Sequence, residues 1–216
     1  MPPRPSPLLG RGTRASFRTL LDAVALQGPD ERTALIQVAT GSDPRILTRR
    51  ELRERIRRHA AALAALGVRP RDLVVIAHAQ ELEAMLVFWG ALALGAVPSM
   101  LPALTEKLDP EIYLSQVSAL VAHSGVRAVL TSDDLARALS PRLSCPVYGS
   151  SQLSAAVREG AGAESGARTP DPSEIAFLQH SSGTTGLQKG VALSHAAVLN
   201  QLASYSDSLG DRKSVV

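Results

Sequence analysis

The chain has 216 residues, 45% hydrophobic, 20% charged and 3% aromatic, so it can bury a core and is too apolar for wholesale disorder. A single cysteine, Cys145, excludes an internal disulfide and with it the disulfide-stapled secreted scaffolds. The net charge of +3 rests on 20 Arg and 3 Lys, and the densest cluster (Arg49, Arg50, Arg53, Arg55, Arg57 and Arg58) has no aromatic residue between its arginines to stack on bases, so no nucleic acid is expected as a partner.

Residues 1–14 form a Pro- and Arg-rich tail without periodicity. Phe17, Leu20, Leu21 and Val24 predict a short amphipathic helix over 16–26, stopped by Gly28-Pro29-Asp30. A strand follows at 33–39, then a turn at Gly41-Ser42-Asp43-Pro44 and a partner strand at 45–47. Thr48-Arg49-Arg50-Glu51 reads as a capping box, and the helix behind it keeps Leu52, Ile56, Ala60, Leu63 and Leu66 on one face until Gly67. Glu51 lies four residues before Arg55 and Glu54 four before Arg58, so the arginines are expected to form a solvated, ion-paired face.

Residues 73–77 predict a short apolar strand, and 81–94 a helix apolar nearly all round, closed by Gly95, with Met85 and Trp89 as core. The longest apolar stretch, 84–97, is 14 residues. A membrane span needs about 20, so none is expected. The start of the chain lacks the apolar run of a secretory signal, which makes a cytoplasmic protein the expectation. A strand at 96–101 is interrupted by Pro98, and Asp109-Pro110 opens a helix with Tyr113, Val117, Leu120 and Val121 inward, ended by Gly125. A strand at 126–131, a helix at 132–139 and a strand at 146–148 complete the series.

Helices alternating with continuously apolar strands predict an α/β fold, with a mostly parallel sheet covered by helices. The first α/β subdomain is expected over 15–148. A Ser-, Gly- and Ala-rich linker follows at 149–173, with one short helix near 153–157. A second α/β subdomain is expected to begin at 174–216, opened by a strand at 174–179.

The chemistry is concentrated in His180-Ser181-Ser182-Gly183-Thr184-Thr185-Gly186-Leu187-Gln188-Lys189-Gly190. Glycines let successive N–H groups turn toward one centre, hydroxyls add small donors, and lysine adds a mobile cation, a combination suited to phosphate. The segment is not a Walker A loop, because Gly183 is not followed at the required spacing by Gly-Lys-Ser/Thr. It is not a nucleophile elbow, because His180 stands where that pattern needs its first glycine. Composition alone leaves a surface turn open. His59, His78, His123, His180 and His195 are scattered without zinc-ligand spacing, so no metal site on protein ligands is expected.

Phe177 through Val191 resembles the phosphate-loop signature of the adenylate-forming enzymes: acyl-CoA synthetases, fatty acyl-AMP ligases, peptide-synthetase adenylation domains and luciferases. Ser182, Gly183, Thr184, Thr185, Gly186, Lys189 and Gly190 match that signature position by position, while Gln188 replaces its proline and His180 its aromatic residue. The resemblance extends to Leu47-Thr48-Arg49-Arg50-Glu51-Leu52, to Leu66-Gly67-Val68-Arg69-Pro70-Arg71-Asp72, to Gly95-Ala96-Val97-Pro98 and to the Ser194-His195 pair.

The resemblance implies ATP and Mg²⁺ as cofactors, a carboxylic acid as substrate (a fatty acid by default), and CoA or the phosphopantetheine of an acyl carrier protein as acceptor. It implies that Ser182, Thr184, Thr185 and Lys189, with the amides of Gly183, Gly186 and Gly190, hold the β- and γ-phosphates. By the same resemblance Lys189 is expected to be the catalytic cation, with Ser181 a weaker phosphate-binding candidate. The family's adenine pocket, magnesium-binding glutamate, ribose-binding aspartate and C-terminal lysine are not recognisable. The expectation is therefore an N-terminal fragment, inactive alone. Two alternatives come from other classes: a non-catalytic nucleotide-binding or interaction protein, and a serine hydrolase using Ser181 or Ser182.

Overall fold

The computed structural model describes residues 17–24, 29–38, 41–78, 81–104, 108–160, 169–180 and 190–208. Helix α1 is short, Leu20–Val24, and Asp22 Oδ2 accepts the N–H groups of Arg18 and Thr19 at its start. Strands β1 (Thr33–Gln37) and β2 (Arg45–Thr48) pair antiparallel as a separate hairpin around the predicted turn. Strand β2 runs directly into α2 (Arg49–Ala65). There Thr48 Oγ1 accepts the Glu51 N–H and Glu51 Oε2 accepts the Thr48 N–H at 2.8 Å, which forms the expected capping box.

The alternation read from the sequence follows: β3 (Leu73–Ala77), α3 (Glu81–Leu94), β4 (Val97–Met100), α4 (Pro110–Ser124), β5 (Val126–Thr131), α5 (Asp133–Leu139) and β6 (Val147–Tyr148). Helix α6 is Ser150–Glu159, strand β7 Ile175–His180, strand β8 Gly190–Ser194 and helix α7 His195–Ser208. Six strands form one sheet in the order β6-β5-β3-β4-β7-β8, parallel throughout except between β7 and β8.

Both faces of this sheet are covered, which is why β3 and β5 are apolar at consecutive positions. On one face Val74 and Ile76 of β3 pack with Ala60 and Leu63 of α2, Val87 and Ala91 of α3, and Leu153 and Ala156 of α6. On the other, Val75 and Ala77 pack with Tyr113, Val117 and Val121 of α4 and Leu135 and Leu139 of α5. The ladder between β3 and β5 slips by one residue, pairing Leu73 with Val126 but Val74 with Ala128. Arg127 is the extra residue, and the slip brings Val126 and Val129 into the same core cluster.

Two features go beyond the sequence reading. The short helix expected near 153–157 extends over Ser150–Glu159 as α6, with Leu153 and Ala156 buried in the core, and the strand after it joins the same sheet. Strand β8 was not predicted, and it adds an antiparallel edge to an otherwise parallel sheet.

Candidate functional site

The candidate phosphate-binding segment hangs from two anchors. Strand β7 runs parallel to β4 through the register pair Ser99↔Leu178 and antiparallel to β8, with His180↔Gly190 as the last pair. His180, at the carboxyl end of a strand parallel to β4, and Gly190, at the start of β8, are therefore register partners on neighbouring strands. In open α/β sheets the crevice beyond the carboxyl ends of the strands is where ligands bind.

Of the candidate residues, Gly190 lies at the start of β8. Ser181, Ser182, Gly183, Thr184, Thr185, Gly186 and Lys189 lie outside the described residues. The described structure thus brings together the two ends of the segment.

Pro98 accounts for the narrow contact between β4 and β7. The N–H groups of Val97 and Leu101 donate to Asp72 and Ile76, on the β3 side. Residues between them alternate, so position 98 turns toward β7, and proline has no N–H to give there. Ser99 Oγ is buried and has no hydrogen-bond partner among the described residues.

His180 closes the base of the segment. A Cβ on residue 190 would meet its Cε1 at 3.4 Å, so the imidazole lies against a glycine that leaves room for it. Both ring nitrogens are buried, and neither has a hydrogen-bond partner among the described residues. Burial pushes the ring's pKa below its ordinary value, so the neutral imidazole is favoured, with one N–H in want of an acceptor. An orphaned donor at the base of this loop fits a ligand rich in acceptor oxygens, as a polyphosphate is.

Ser194 and His195, a pair characteristic of the resembling family, have positions that the structure explains. Ser194 Oγ accepts the Ala197 N–H at 3.2 Å and so caps α7. His195 is buried, and its Nδ1 accepts the Leu20 N–H at 3.2 Å, tying α7 to α1. Burial lowers its pKa, against the opposing charges of Glu174 and Asp22.

Met85 and Trp89 sit in apolar clusters, as read from the sequence. Cys145 is half-buried, and burial raises its thiol pKa. Among the described residues no group of three or more His, Cys, Asp or Glu side chains could hold a metal ion, and no helix is long and apolar enough to cross a membrane.

A sequence model described as AMP-binding enzyme matches residues 21–216. The 4-chlorobenzoate–CoA ligase of an Arthrobacter species is 28% identical over 205 residues, covering 91% of this chain and 37% of the ligase. Triostin synthetase I of Streptomyces triostinicus is 33% identical over 167 residues, covering 74% of this chain and 30% of the synthetase. Among solved structures, a fatty acyl-adenylate ligase from L. pneumophila, in complex with acyl adenylate and pyrophosphate, is similar with a TM-score of 0.72 at 26% identity. That likeness covers 89% of this chain and 33% of the other. The chain spans about a third of the length of these three relatives.

Proposed function

The chain belongs to the AMP-binding enzyme family, and on that premise we propose that it is the part of an AMP-forming acid–thiol ligase that grips the phosphates of ATP. The observation that carries this reading is the closure of 181–189 between His180 and Gly190 at the carboxyl end of β7. A nine-residue segment rich in glycine and hydroxyls, held at both ends by one ladder rung, can point its amides at a single centre.

In the proposed first step a carboxylate oxygen attacks the α-phosphorus of ATP. The bond from that phosphorus to the bridging oxygen breaks, and pyrophosphate leaves with the electron pair. Negative charge grows on the leaving group, so the useful residues are donors and cations placed there in advance. Ser182, Thr184 and Thr185 with the amides of Gly183, Gly186 and Gly190 hold the β- and γ-phosphates. Lys189 neutralises the developing charge as the catalytic residue, Ser181 adds a further hydroxyl, and His180 supplies the N–H left without an acceptor.

In the second step a thiolate, from CoA or from the phosphopantetheine arm of a carrier protein, attacks the acyl carbon and AMP departs. The acid is proposed to be a fatty acid, a choice supported by the likeness to the fatty acyl-adenylate ligase. Mg²⁺ supplies positive charge to the phosphates when bound. No described residue is assigned to it, and no step is routed through it. The reading places the reaction in the cytoplasm, and the 216 residues alone are not expected to complete it.

Isothermal titration of the chain with ATP tests the loop assignment. ATP is expected to bind, and Lys189→Ala to weaken binding about tenfold, the worth of one charge-assisted hydrogen bond. Equal affinity in a folded Lys189→Ala variant overturns the assignment.

A further inference from the structure

A cleft of about 480 Å³ opens between α2, α6 and the first turn of α3, and none of its described lining residues belongs to the 180–190 segment. Arg55, Arg58 and His59 share one face of α2 through their three- and four-residue spacing. Arg158 reaches the cleft from α6, and Arg45 from the start of β2. His59 is buried in its wall. Its Nδ1 donates to the Arg55 carbonyl at 2.7 Å, and its Nε2 lies 3.1 Å from Oε1 of Glu83. The one carboxylate among the described lining residues thus lies against His59.

The arginines of this region differ in how their charge is met. Arg50 pairs with Asp30 and Glu31, Arg53 with Asp30, and Arg58 with Glu54. Among the described residues no ion pair reaches Arg45, Arg55 or Arg158. Helical spacing alone would give Arg55 to Glu51. The capping box turns the Glu51 carboxylate back instead, onto the Thr48 N–H at 2.8 Å and the Thr48 hydroxyl at 3.0 Å. Burial, and next the neighbouring Arg45 charge, push the Arg55 guanidinium below its ordinary pKa. Glu51 and Glu83 offset part of the Arg55 charge without a direct ion pair, but four guanidiniums still line one half-enclosed hollow, and an anion there would relieve their mutual repulsion.

We propose that this cleft is a second binding site, for a small molecule that carries clustered phosphates. Its volume lies within the range of small-ligand sites, about 300–1,000 Å³. Guanidinium forks match phosphate oxygens in pairs, and several converging on one hollow select multiple charges over one. A recessed cleft suits a compact ligand better than the broad surface of an acidic protein. The phosphates could be those of a nucleotide or of an inorganic polyphosphate, which share the chemistry the arginines recognise.

The test is an NMR titration of the whole chain with inorganic tripolyphosphate and, separately, with ADP, each at constant ionic strength. Saturable shifts of the amides at 55–59 and 154–158 are expected, and they persist in Lys189→Ala. In the Arg55→Gln/Arg158→Gln double variant the midpoint rises about tenfold or more. Tighter binding of either probe supports the proposal and identifies the source of the phosphates. Shifts that grow linearly with concentration, or an unchanged midpoint in a folded double variant, overturn it. The exposed Arg45→Gln serves as second variant, expected to raise the midpoint, should the double variant lose its native spectrum.

Discussion

His180 and Gly190 are register partners at the end of the β7–β8 ladder, and a Cβ on residue 190 would stand 3.4 Å from the imidazole Cε1 and 3.6 Å from its Nδ1. A flat ring laid against a glycine is what an aromatic residue would also provide here. The histidine therefore fills the place of the signature's aromatic, at the expense of two buried nitrogens without partners among the described residues.

His180→Phe keeps the ring and removes the nitrogens. Removing a buried unsatisfied donor should stabilise the unliganded protein by about 1–3 kcal/mol in urea denaturation. The same change should weaken ATP binding, because the N–H proposed to face the phosphates is gone. A variant that gains stability and binds ATP as before would show that the histidine has no part in the site.

Gly90→Ala should be destabilising. Helices α2 and α3 approach so closely there that a Cβ would lie 2.6 Å from His59 Cβ and 3.0 Å from the Ala60 nitrogen. These are backbone-fixed atoms, so the helices must part, at a cost of about 1–3 kcal/mol. Chemical denaturation reads this directly, with Gly190→Ala as the milder comparison, since its nearest neighbour is 3.4 Å away. A stability equal to wild type would mean that the two helices can slide apart freely.

Stability should fall as the solution is acidified. Burial lowers the pKa values of His78, His180 and His195 from 6.5. The unfolded chain therefore takes up protons before the folded one does. The stability these neutral rings contribute is complete above the unfolded value and is lost as the pH drops below it toward the folded values. His195→Asn keeps an acceptor for the Leu20 N–H and removes the titration, so its melting temperature should fall less between about pH 7.5 and about pH 5.5. Parallel profiles for wild type and variant would remove His195 from the account.

Much of the fold was legible because local signals agreed with the final packing. Thr48 with Glu51, Asp109 with Pro110, and Gly125 mark helix ends in the sequence and do so in the structure. The apolar runs of β3 and β5 announce a sheet covered on both faces. The helix near 153–157 was legible, but its full length and its place in the core were not, because its buried surface rests on Leu153 and the small Ala156, set among serines and glycines that read as a linker. Strand β8 has half of its information in β7, since Gly190-Val191-Ala192-Leu193 shows no alternation of its own and is defined by its ladder. The cationic cleft was hidden for a related reason. The sequence offers Glu51 both to the Thr48 cap and to Arg55, and the structure shows the carboxylate hydrogen-bonded in the cap. Arg158 lay in the expected linker, so nothing in the sequence placed it beside α2.

The most direct test of the central claim is carboxylate-dependent exchange of labelled pyrophosphate into ATP, measured on the full-length ligase of which this chain is proposed to be a part. A fatty acid should support exchange, and Lys189→Ala should reduce it on the order of 10²–10³, the usual effect of removing one preorganised stabilising group. Full exchange by a Lys189→Ala protein whose circular dichroism matches wild type would contradict the phosphate-loop assignment and the activity built on it.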